Sequence, residues 1–332
     1  MYFCNVNINL EQIFSINDEA TFSEVALAVF NHQAKNCAVY HDYIHHLKID
    51  TTLINHYEQI PFLPISFFKS HEVLSSTAKA EVVFSSSGTT GQITSKHLVT
   101  DLKVYEESFN RAFKQFYGDP KEICLLALLP SYLEREGSSL IYMVDDLLKQ
   151  SEHPLSGYFL HNLDELFAAL NALKKSGQKT ILIGVTYALL DFVEQFKIDF
   201  PELIVMETGG MKGKRKEMVR EELHHDLYAG FGVKQIHSEY GMTELLSQGY
   251  SYGDGIFNCP PWMKILLRDT SDPLSLLQGK QTGGINVIDL ANINSCSFIA
   301  TQDLGKTYPD SSFEVLGRFD NADIRGCNLL VQ

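Results

Sequence analysis

Apolar residues recur along this chain with two different periods, and the change of period divides the sequence. Near the N-terminus, "TFSEVALAVFNHQA" places apolar residues every three to four positions, which predicts an amphipathic helix capped by Thr21 or Ser23. "DLKVYEESFNRAFKQFYG" predicts a second helix, which ends at Gly118. Residues 1–60 are mainly helical in their pattern.

Between residues 61 and 255, short apolar runs alternate with longer helical stretches. These runs are "AEVVF", "EICLLALLP", "KTILIGV", "ELIVMETGG" and "KQIHSEYG". Strands that alternate with helices at this spacing predict an α/β fold whose sheet has much parallel pairing.

From Cys259 onward the helical stretches stop. "MKILLRD", "GGINVIDL", "CSFIATQDLG", "FEVLGRFD" and "NLLV" are short apolar runs separated by turns, which predicts a mostly antiparallel β subdomain. We therefore expect two domains. Residues 1–255 would form an α/β core with a helical N-terminal segment, and residues 256–332 would form a β-rich subdomain.

Composition narrows the class of protein. The 332 residues are 45% hydrophobic and 20% charged, which is typical of a soluble globular protein, and the net charge of −14 argues against binding nucleic acid. No apolar run approaches the roughly 20 residues that span a bilayer, and no secretory signal is evident. Six cysteines without a Cys-x-x-Cys pair argue against structural zinc, and we expect a cytoplasmic protein with reduced thiols.

A polar, glycine-rich stretch follows the first predicted strand. Its glycines allow close approach of the backbone to a charged ligand, and its hydroxyls and N–H groups can donate to phosphate. Lys96 follows with a positive charge. The stretch is neither a Walker A loop nor a dinucleotide fingerprint, and an ordinary polar turn would have the same composition. Its residues are Ser86, Ser87, Gly88, Thr89, Thr90 and Gly91.

Further stretches favour a nucleotide site over an ordinary turn. They are "ETGGMKGKRKEM" (207–218), "SEYGMTE" (238–244), "TQDLG" (301–305) and "GRFDNADIRG" (317–326). In this order they resemble the adenylate-forming superfamily of acyl ligases. With "PFLPISFFKSH" and "LPSYLEREGSSLIYMV" added, the chain from about Pro61 resembles the acyl-protein synthetases, or long-chain-fatty-acid–luciferin-component ligases, related to the phenylacetate–coenzyme A ligases.

The resemblance implies a fold and an activity. The fold would be α/β, an adenylate-forming N-terminal-type domain with mixed sheets flanked by helices plus a small C-terminal β subdomain. The usual C-terminal lid domain would be lacking, since only residues 327–332 follow "GRFDNADIRG". The activity would be ATP- and Mg²⁺-dependent conversion of a fatty or other carboxylic acid to acyl-AMP.

The resemblance also implies roles for single residues. Residues 86–91 would hold the β- and γ-phosphates with help from Lys96, and Gly209 and Gly210 would pass close to adenine, on which Tyr240, followed by Gly241, would stack. Thr243 would contact the α-phosphate, Glu244 would bind Mg²⁺, Asp303 would accept both ribose hydroxyls, and Arg318 would contact ribose or phosphate. From the residues alone, a core aromatic, a helix-start acid, a turn former and a surface cation remain open for Tyr240, Glu244, Asp303 and Arg318.

Cys327 matches the cysteine that carries the acyl group as a thioester in the resembled family, for delivery to an acyl-reductase partner. A thiolate beside Arg325 would be a good nucleophile, although a buried structural cysteine is equally consistent with the pattern. Two other functions stay open. One is an acid–thiol ligase acting on coenzyme A or a carrier protein, and the other is a non-catalytic nucleotide-binding scaffold.

Overall fold

The chain forms two compact units in a computed structural model that describes residues 8–86, 93–130, 137–160, 162–209, 215, 218–277 and 281–318. Unit 1 contains Met1–Ser108, Met242–Ser247 and Asn258–Gln332, and unit 2 contains Phe109–Gly241 and Gln248–Phe257. The single boundary expected after residue 255 lies near the last of these divisions. The contacts nevertheless group residues 1–108 with the C-terminal part of the chain.

The helices of the described residues begin and end close to their sequence signals. Asp18 caps helix α2 (Glu19–Asn36) by accepting a hydrogen bond from the Thr21 backbone N–H at 2.8 Å, so this helix begins before the predicted caps. Helix α5 (Leu102–Tyr117) is terminated by Gly118, which has a φ of +94°, as predicted. The α-helices are α1 (Leu10–Phe14), α2 (Glu19–Asn36), α3 (Ala38–His46), α4 (Phe67–Ser70), α5 (Leu102–Tyr117), α6 (Ser139–Ser151), α7 (Leu163–Ser176), α8 (Thr186–Gln195) and α9 (Arg220–Phe231).

The strands of the described residues are β1 (Leu63–Pro64), β2 (Val82–Ser85), β3 (Lys96–Val99), β4 (Cys124–Leu128), β5 (Gly157–Tyr158), β6 (Thr180–Gly184), β7 (Ile204–Glu207), β8 (Ile236–Tyr240), β9 (Gly249–Ser251), β10 (Ile256–Asn258), β11 (Met263–Arg268), β12 (Thr282–Asp289), β13 (Phe298–Thr307) and β14 (Phe313–Arg318). Strands β2, β4, β6, β7, β8 and β11 to β14 coincide with predicted apolar runs, whereas β1, β3, β5, β9 and β10 were not predicted. The predicted run "NLLV" lies outside the described residues.

Unit 2 is built on a parallel sheet. Strands β5, β4, β6, β7 and β8 pair in that order and in parallel, and β9 adds an antiparallel strand beside β8. Every residue of β4 and β6 is buried, as expected for strands covered on both faces. The register pairs Glu207 with Ser238, so the carboxyl ends of β7 and β8 lie side by side.

Unit 1 contains the antiparallel strands predicted for the end of the chain. Strands β11, β12, β13 and β14 pair in that order, and β1 adds to β13 in parallel. Strands β2 and β3 form a separate antiparallel pair on either side of the glycine-rich stretch. The mixed α/β architecture is therefore confirmed.

The N-terminal helices complete the core of the C-terminal strands within unit 1. The rings of Phe30 and Tyr40 pack against Phe298 at centroid distances of 6.1 and 6.3 Å. The buried Gln33 amide donates to the Asn292 carbonyl at 2.9 Å and accepts from the Ser297 N–H at 2.9 Å. Aromatic burial of this kind stabilises a fold by about 1.5–3 kcal/mol for each side chain.

Across the described residues, no helix combines the length and the apolar character needed to cross a membrane.

Candidate active site

The residues predicted to bind the nucleotide are distributed over both units. Unit 1 contains Ser86, Lys96, Thr243, Glu244, Asp303 and Arg318, and unit 2 contains Gly209, Tyr240 and Gly241. Ser87, Gly88, Thr89, Thr90, Gly91, Gly210 and Cys327 lie outside the described residues, so their roles stay predictions.

Strands β2 and β3 hold the ends of the glycine-rich stretch together. The Ser86 backbone N–H donates to the Ser95 carbonyl at 3.1 Å, and the Ser86 hydroxyl oxygen accepts from the Ser95 N–H at 2.9 Å. Lys96 pairs in register with Ser85 and is exposed to solvent.

Glu244 is a buried carboxylate surrounded by cationic groups. Its side chain is 6% exposed, accepts a hydrogen bond from Ser95, and feels the charges of Arg318 and Lys69. Burial raises the pKa of Glu244 above its ordinary value, although the hydrogen bond and both cations oppose that shift. A divalent cation at this carboxylate would favour its charged form and offset the cost of burial.

The backbone on either side of Glu244 is fixed by two buried side chains. The His97 imidazole donates from Nδ1 to the Thr243 carbonyl at 2.9 Å, and burial lowers the pKa of His97 to about 4, so the ring is neutral. The Asn292 amide donates to the Glu244 carbonyl at 2.8 Å. The His97 Nε2 atom is buried and has no hydrogen-bond partner among the described residues.

A buried carboxylate anchors the residues that follow Glu244. Asp289 accepts hydrogen bonds from the Leu246 N–H at 2.7 Å, from the Ser247 N–H at 3.0 Å and from the Ser247 hydroxyl at 2.6 Å. Burial raises the pKa of Asp289 to about 6, against the effect of these donors. The Trp262 indole N–H also donates to Ser247 at 3.0 Å. Residues 243–247 are therefore held rigidly in unit 1.

Asp303 and Arg318 are cross-strand neighbours in unit 1. Their Cα atoms are register partners on β13 and β14, and the Arg318 guanidinium lies 3.5 Å from the Gln302 amide oxygen. Arg318 also contributes to the electrostatic environment of Glu244. The structure thus brings together three of the residues predicted to contact ribose, phosphate and metal.

In unit 2, Gly209 continues from the carboxyl end of β7 in a conformation that favours glycine. Its φ is +73°, and its N–H donates to the Glu207 carboxylate at 2.7 Å. The Thr186 hydroxyl donates to the same carboxylate at 3.3 Å. Glu207 therefore shapes the backbone that the resemblance places near adenine.

Tyr240 at the end of β8 is 8% exposed, and its ring meets Phe257 edge-on at 6.0 Å. This packing is that of a core aromatic in unit 2, which is one of the two roles that its sequence position allows. A stacking role for its remaining exposed surface is still a prediction.

Glu239 presents a half-buried carboxyl group in unit 2. Burial, reinforced by the negative charge of Glu207, raises the pKa of Glu239 to about 8. A Cβ atom on Gly241 would lie 2.3 Å from the Glu239 Oε1 atom. A Cβ atom on residue 241 would therefore force the Glu239 carboxyl group to shift.

Four residues around Glu244 had no role in the sequence analysis: Lys69, Ser95, His97 and Asp289. Ser95 and His97 follow the glycine-rich stretch, and Lys69 lies in "FFKSH", so proximity to recognised motifs was the only available signal. Within the described residues, no three His, Cys, Asp or Glu side chains gather to hold a metal.

Comparison with solved structures identifies the fold. An open conformation of 2-hydroxyisobutyryl-CoA ligase in complex with 2-HIB-AMP and CoA aligns with a TM-score of 0.66 at 10% identity, over 91% of this chain and 70% of that chain. The same ligase in its postadenylation state with R3-HIB-AMP gives 0.68 at 10% identity, over 96% and 73%. ATP-bound MatB from Rhodopseudomonas palustris gives 0.53 at 17% identity, over 74% and 48%.

Comparison of the sequence identifies the family. No curated protein matches the chain. The family model of the acyl-protein synthetase LuxE matches residues 12–332, which includes most of the N-terminal helical segment that carried little of the motif resemblance. The chain therefore belongs to the LuxE acyl-protein synthetase family and is an AMP-forming ligase.

Proposed function

We propose that this enzyme activates a carboxylic acid, preferably a fatty acid, with ATP and transfers the acyl group to the thiol of Cys327. In the first step a carboxylate oxygen attacks the α-phosphorus of ATP, and pyrophosphate leaves as its bond to that phosphorus breaks. In the second step the thiolate attacks the acyl carbon, a C–S bond forms, the C–O bond to AMP breaks and AMP leaves. The acyl-protein thioester then supplies an acyl-reductase.

The observation that carries the proposal is the setting of Glu244. Two anions must meet in the first step, and transition-state charge is best stabilised by groups already fixed in place. A buried carboxylate that feels the positive charges of Arg318 and Lys69, on a backbone held by His97 and Asn292, is such an arrangement.

The oxygen donors of unit 1 fit a hard divalent cation. The Glu244 carboxylate would hold Mg²⁺ together with nucleotide phosphate oxygens, and Mg²⁺ when bound would neutralise phosphate charge. The Thr243 hydroxyl would donate to the α-phosphate, while Arg318 and Lys69 would balance the charge that develops on the leaving pyrophosphate.

Asp303 in unit 1 would accept hydrogen bonds from both ribose hydroxyls, as the resemblance implies. In unit 2, Gly209 and Tyr240 would contact adenine, as the resemblance also implies. The relatives support this indirectly, since the described complexes of 2-hydroxyisobutyryl-CoA ligase and MatB contain acyl-AMP and ATP. We place the reaction in the cytoplasm, where thiols stay reduced.

The first experiment measures exchange of labelled pyrophosphate into ATP. We expect exchange that requires Mg²⁺ and a carboxylic acid, and that is fastest with one length class in a series of fatty acids. Exchange without any acid, or none with any acid tested, would reject the acyl-AMP step and favour a nucleotide-binding scaffold.

The second experiment follows the acyl group with a radiolabelled fatty acid. Hydroxylamine-labile label should appear on the wild-type protein and disappear in Cys327→Ser, while pyrophosphate exchange persists. Cys259→Ser is the matched control, because Cys259 is a half-buried free thiol. Label retained in Cys327→Ser would reject Cys327, and a soluble coenzyme A or carrier-protein thioester would identify an acid–thiol ligase instead.

A further inference from the structure

Arg268 is a buried cation in unit 1 to which no sequence motif assigns a role. It lies at the end of β11 and is 6% exposed. Its guanidinium donates to the Ile285 carbonyl at 2.7 Å, to the Asn286 amide oxygen at 2.9 Å and to the Thr301 carbonyl at 2.5 Å. One side chain therefore ties together three adjacent strands.

These acceptors lie where the pairing of β12 and β13 is irregular. Gly284 pairs with Leu304 and Asn286 pairs with Ala300, so a single residue of β12 faces three residues of β13. A bulge of this kind leaves backbone groups without their normal ladder partners and redirects the side chains that it carries. The three residues that face Ile285 are Thr301, Gln302 and Asp303.

The bulge connects Arg268 to Asp303 through Thr301. The Thr301 hydroxyl donates to the Ile285 carbonyl at 2.9 Å and accepts from the Asp303 backbone N–H at 3.1 Å. Arg268 holds the Thr301 carbonyl as well as the shared Ile285 carbonyl. The backbone of Asp303 is thus two hydrogen bonds away from the guanidinium.

Gly284 gives the guanidinium its space. A Cβ atom at this position would lie 2.7 Å from the Arg268 Cζ and 2.9 Å from Nη1. Gly284→Ala would therefore displace the guanidinium while leaving the charge and the length of Arg268 unchanged.

We propose that Arg268 is a positioning residue for nucleotide recognition, which fixes the three-residue bulge so that the Asp303 carboxylate is presented to the ribose hydroxyls. Arg268 itself does not contact the nucleotide. The inference rests on the proposed function, because it takes from there the ribose contact of Asp303. Lysine cannot replace arginine in this role, since only the planar guanidinium reaches three acceptors at fixed angles.

The test compares ATP with 2′-deoxy-ATP in binding and in pyrophosphate exchange. The wild type should prefer ATP, and Asp303→Ala should lose that preference. In Arg268→Met, Arg268→Lys and Gly284→Ala the KM for ATP should rise about tenfold, as when a hydrogen bond to a charged group is lost. The KM for 2′-deoxy-ATP and kcat should change much less, so the preference falls towards that of Asp303→Ala.

The matched control is Val287→Ala, which removes a fully buried side chain from β12 and destabilises the same sheet. It should lower the midpoint of thermal unfolding without changing the ratio of the KM for ATP to the KM for 2′-deoxy-ATP. A Gly284→Ala/Asp303→Ala double variant should show no further loss of preference beyond Asp303→Ala.

The outcomes separate the inference from the proposed function. If Asp303→Ala loses the preference but the Arg268 and Gly284 variants keep it, Arg268 is only structural and the inference is overturned. If the wild type binds nucleotide without preference, or if Asp303→Ala keeps the preference, the ribose role of Asp303 and the inference both fall, while acid-dependent exchange still stands. If the wild type binds neither nucleotide, the proposed function falls as well.

Discussion

Two carboxyl groups five positions apart in "SEYGMTE" are placed in opposite electrostatic environments. Glu239 belongs to unit 2, where its nearest charged influence is the carboxylate of Glu207. Glu244 belongs to unit 1, where Arg318 and Lys69 supply positive charge and Ser95 donates a hydrogen bond. Burial is the main cause of a raised pKa in both, but only in Glu244 do the neighbours work against it.

The difference shows that burial alone does not define a functional carboxylate. With a pKa raised to about 8, mainly by burial, Glu239 is mostly protonated at neutral pH and carries little charge. In Glu244 the Ser95 hydrogen bond and the charges of Arg318 and Lys69 oppose the effect of burial, and a bound metal ion would favour the charged form further. We therefore expect that removing the charge impairs activity at Glu244 and has little effect at Glu239.

The largest expected effect is on catalysis. Glu244→Gln should lower acid-dependent pyrophosphate exchange about a hundredfold, the cost of losing one preorganised electrostatic contact. Glu239→Gln should stay within about twofold of the wild type, because glutamine resembles the protonated acid. Equal losses in the two variants would remove the distinction.

The cations near Glu244 should have the next largest effect. Lys69→Ala and Arg318→Ala should each raise the KM for ATP about tenfold, since each removes a charge-assisted contact with phosphate. Two further variants serve as references. Lys96→Ala removes a lysine that is predicted to bind phosphate, and Lys35→Ala removes a lysine on the exposed surface. A KM that is unchanged in Lys69→Ala would show that this lysine only balances the charge of Glu244.

The pH dependence of the unfolding free energy should show the titration of the Glu239 carboxyl group. Its folded-state pKa is raised, so its contribution to stability is present at low pH and is lost as the pH rises through about 8. Between pH 7 and 8, unfolding free energy measured with urea should fall by up to about 1.4 kcal/mol per pH unit in the wild type.

Two buried groups near Glu244 titrate below this window. Asp289 has a pKa raised to about 6, and the pKa of His97 is lowered to about 4. The fall between pH 7 and 8 should therefore be absent in Glu239→Gln. It should remain in the Glu244→Gln control, and an unchanged slope in Glu239→Gln would contradict the assignment.

The smallest expected effect concerns packing around Glu239. Gly241→Ala should lower the unfolding free energy by about 1–3 kcal/mol, because the new Cβ would overlap the Glu239 carboxyl oxygen. In a Glu239→Ala background the same substitution should cost little, as a double-mutant cycle would show. Additive costs would mean that the glycine is needed for another reason.

Much of the fold followed from local pattern. The parallel strands of unit 2 and the antiparallel strands of unit 1 were predicted from the length and spacing of apolar runs, since period and turn residues are local properties. The joining of Gln33 to Asn292 and Ser297 was not predicted, because pairing between residues more than 250 positions apart leaves no trace in periodicity.

The candidate site was predictable to the same degree. The motifs located Glu244, Asp303 and Arg318, which the structure places within one unit. Lys69 was missed because it belongs to a four-residue helix far from Glu244 in sequence, and Arg268 was missed because a buried arginine in a strand resembles no ligand motif. The roles of both residues depend on contacts with residues that are distant in sequence, which local patterns do not show.

The most direct test of the contrast is the Mg²⁺ dependence of pyrophosphate exchange in the wild type, Glu244→Gln and Glu239→Gln. We expect half-saturating Mg²⁺ to rise at least about tenfold in Glu244→Gln, because a carboxylate ligand is lost, and to stay unchanged in Glu239→Gln. Wild-type Mg²⁺ dependence in Glu244→Gln would contradict the account of Glu244 as the metal-binding carboxylate.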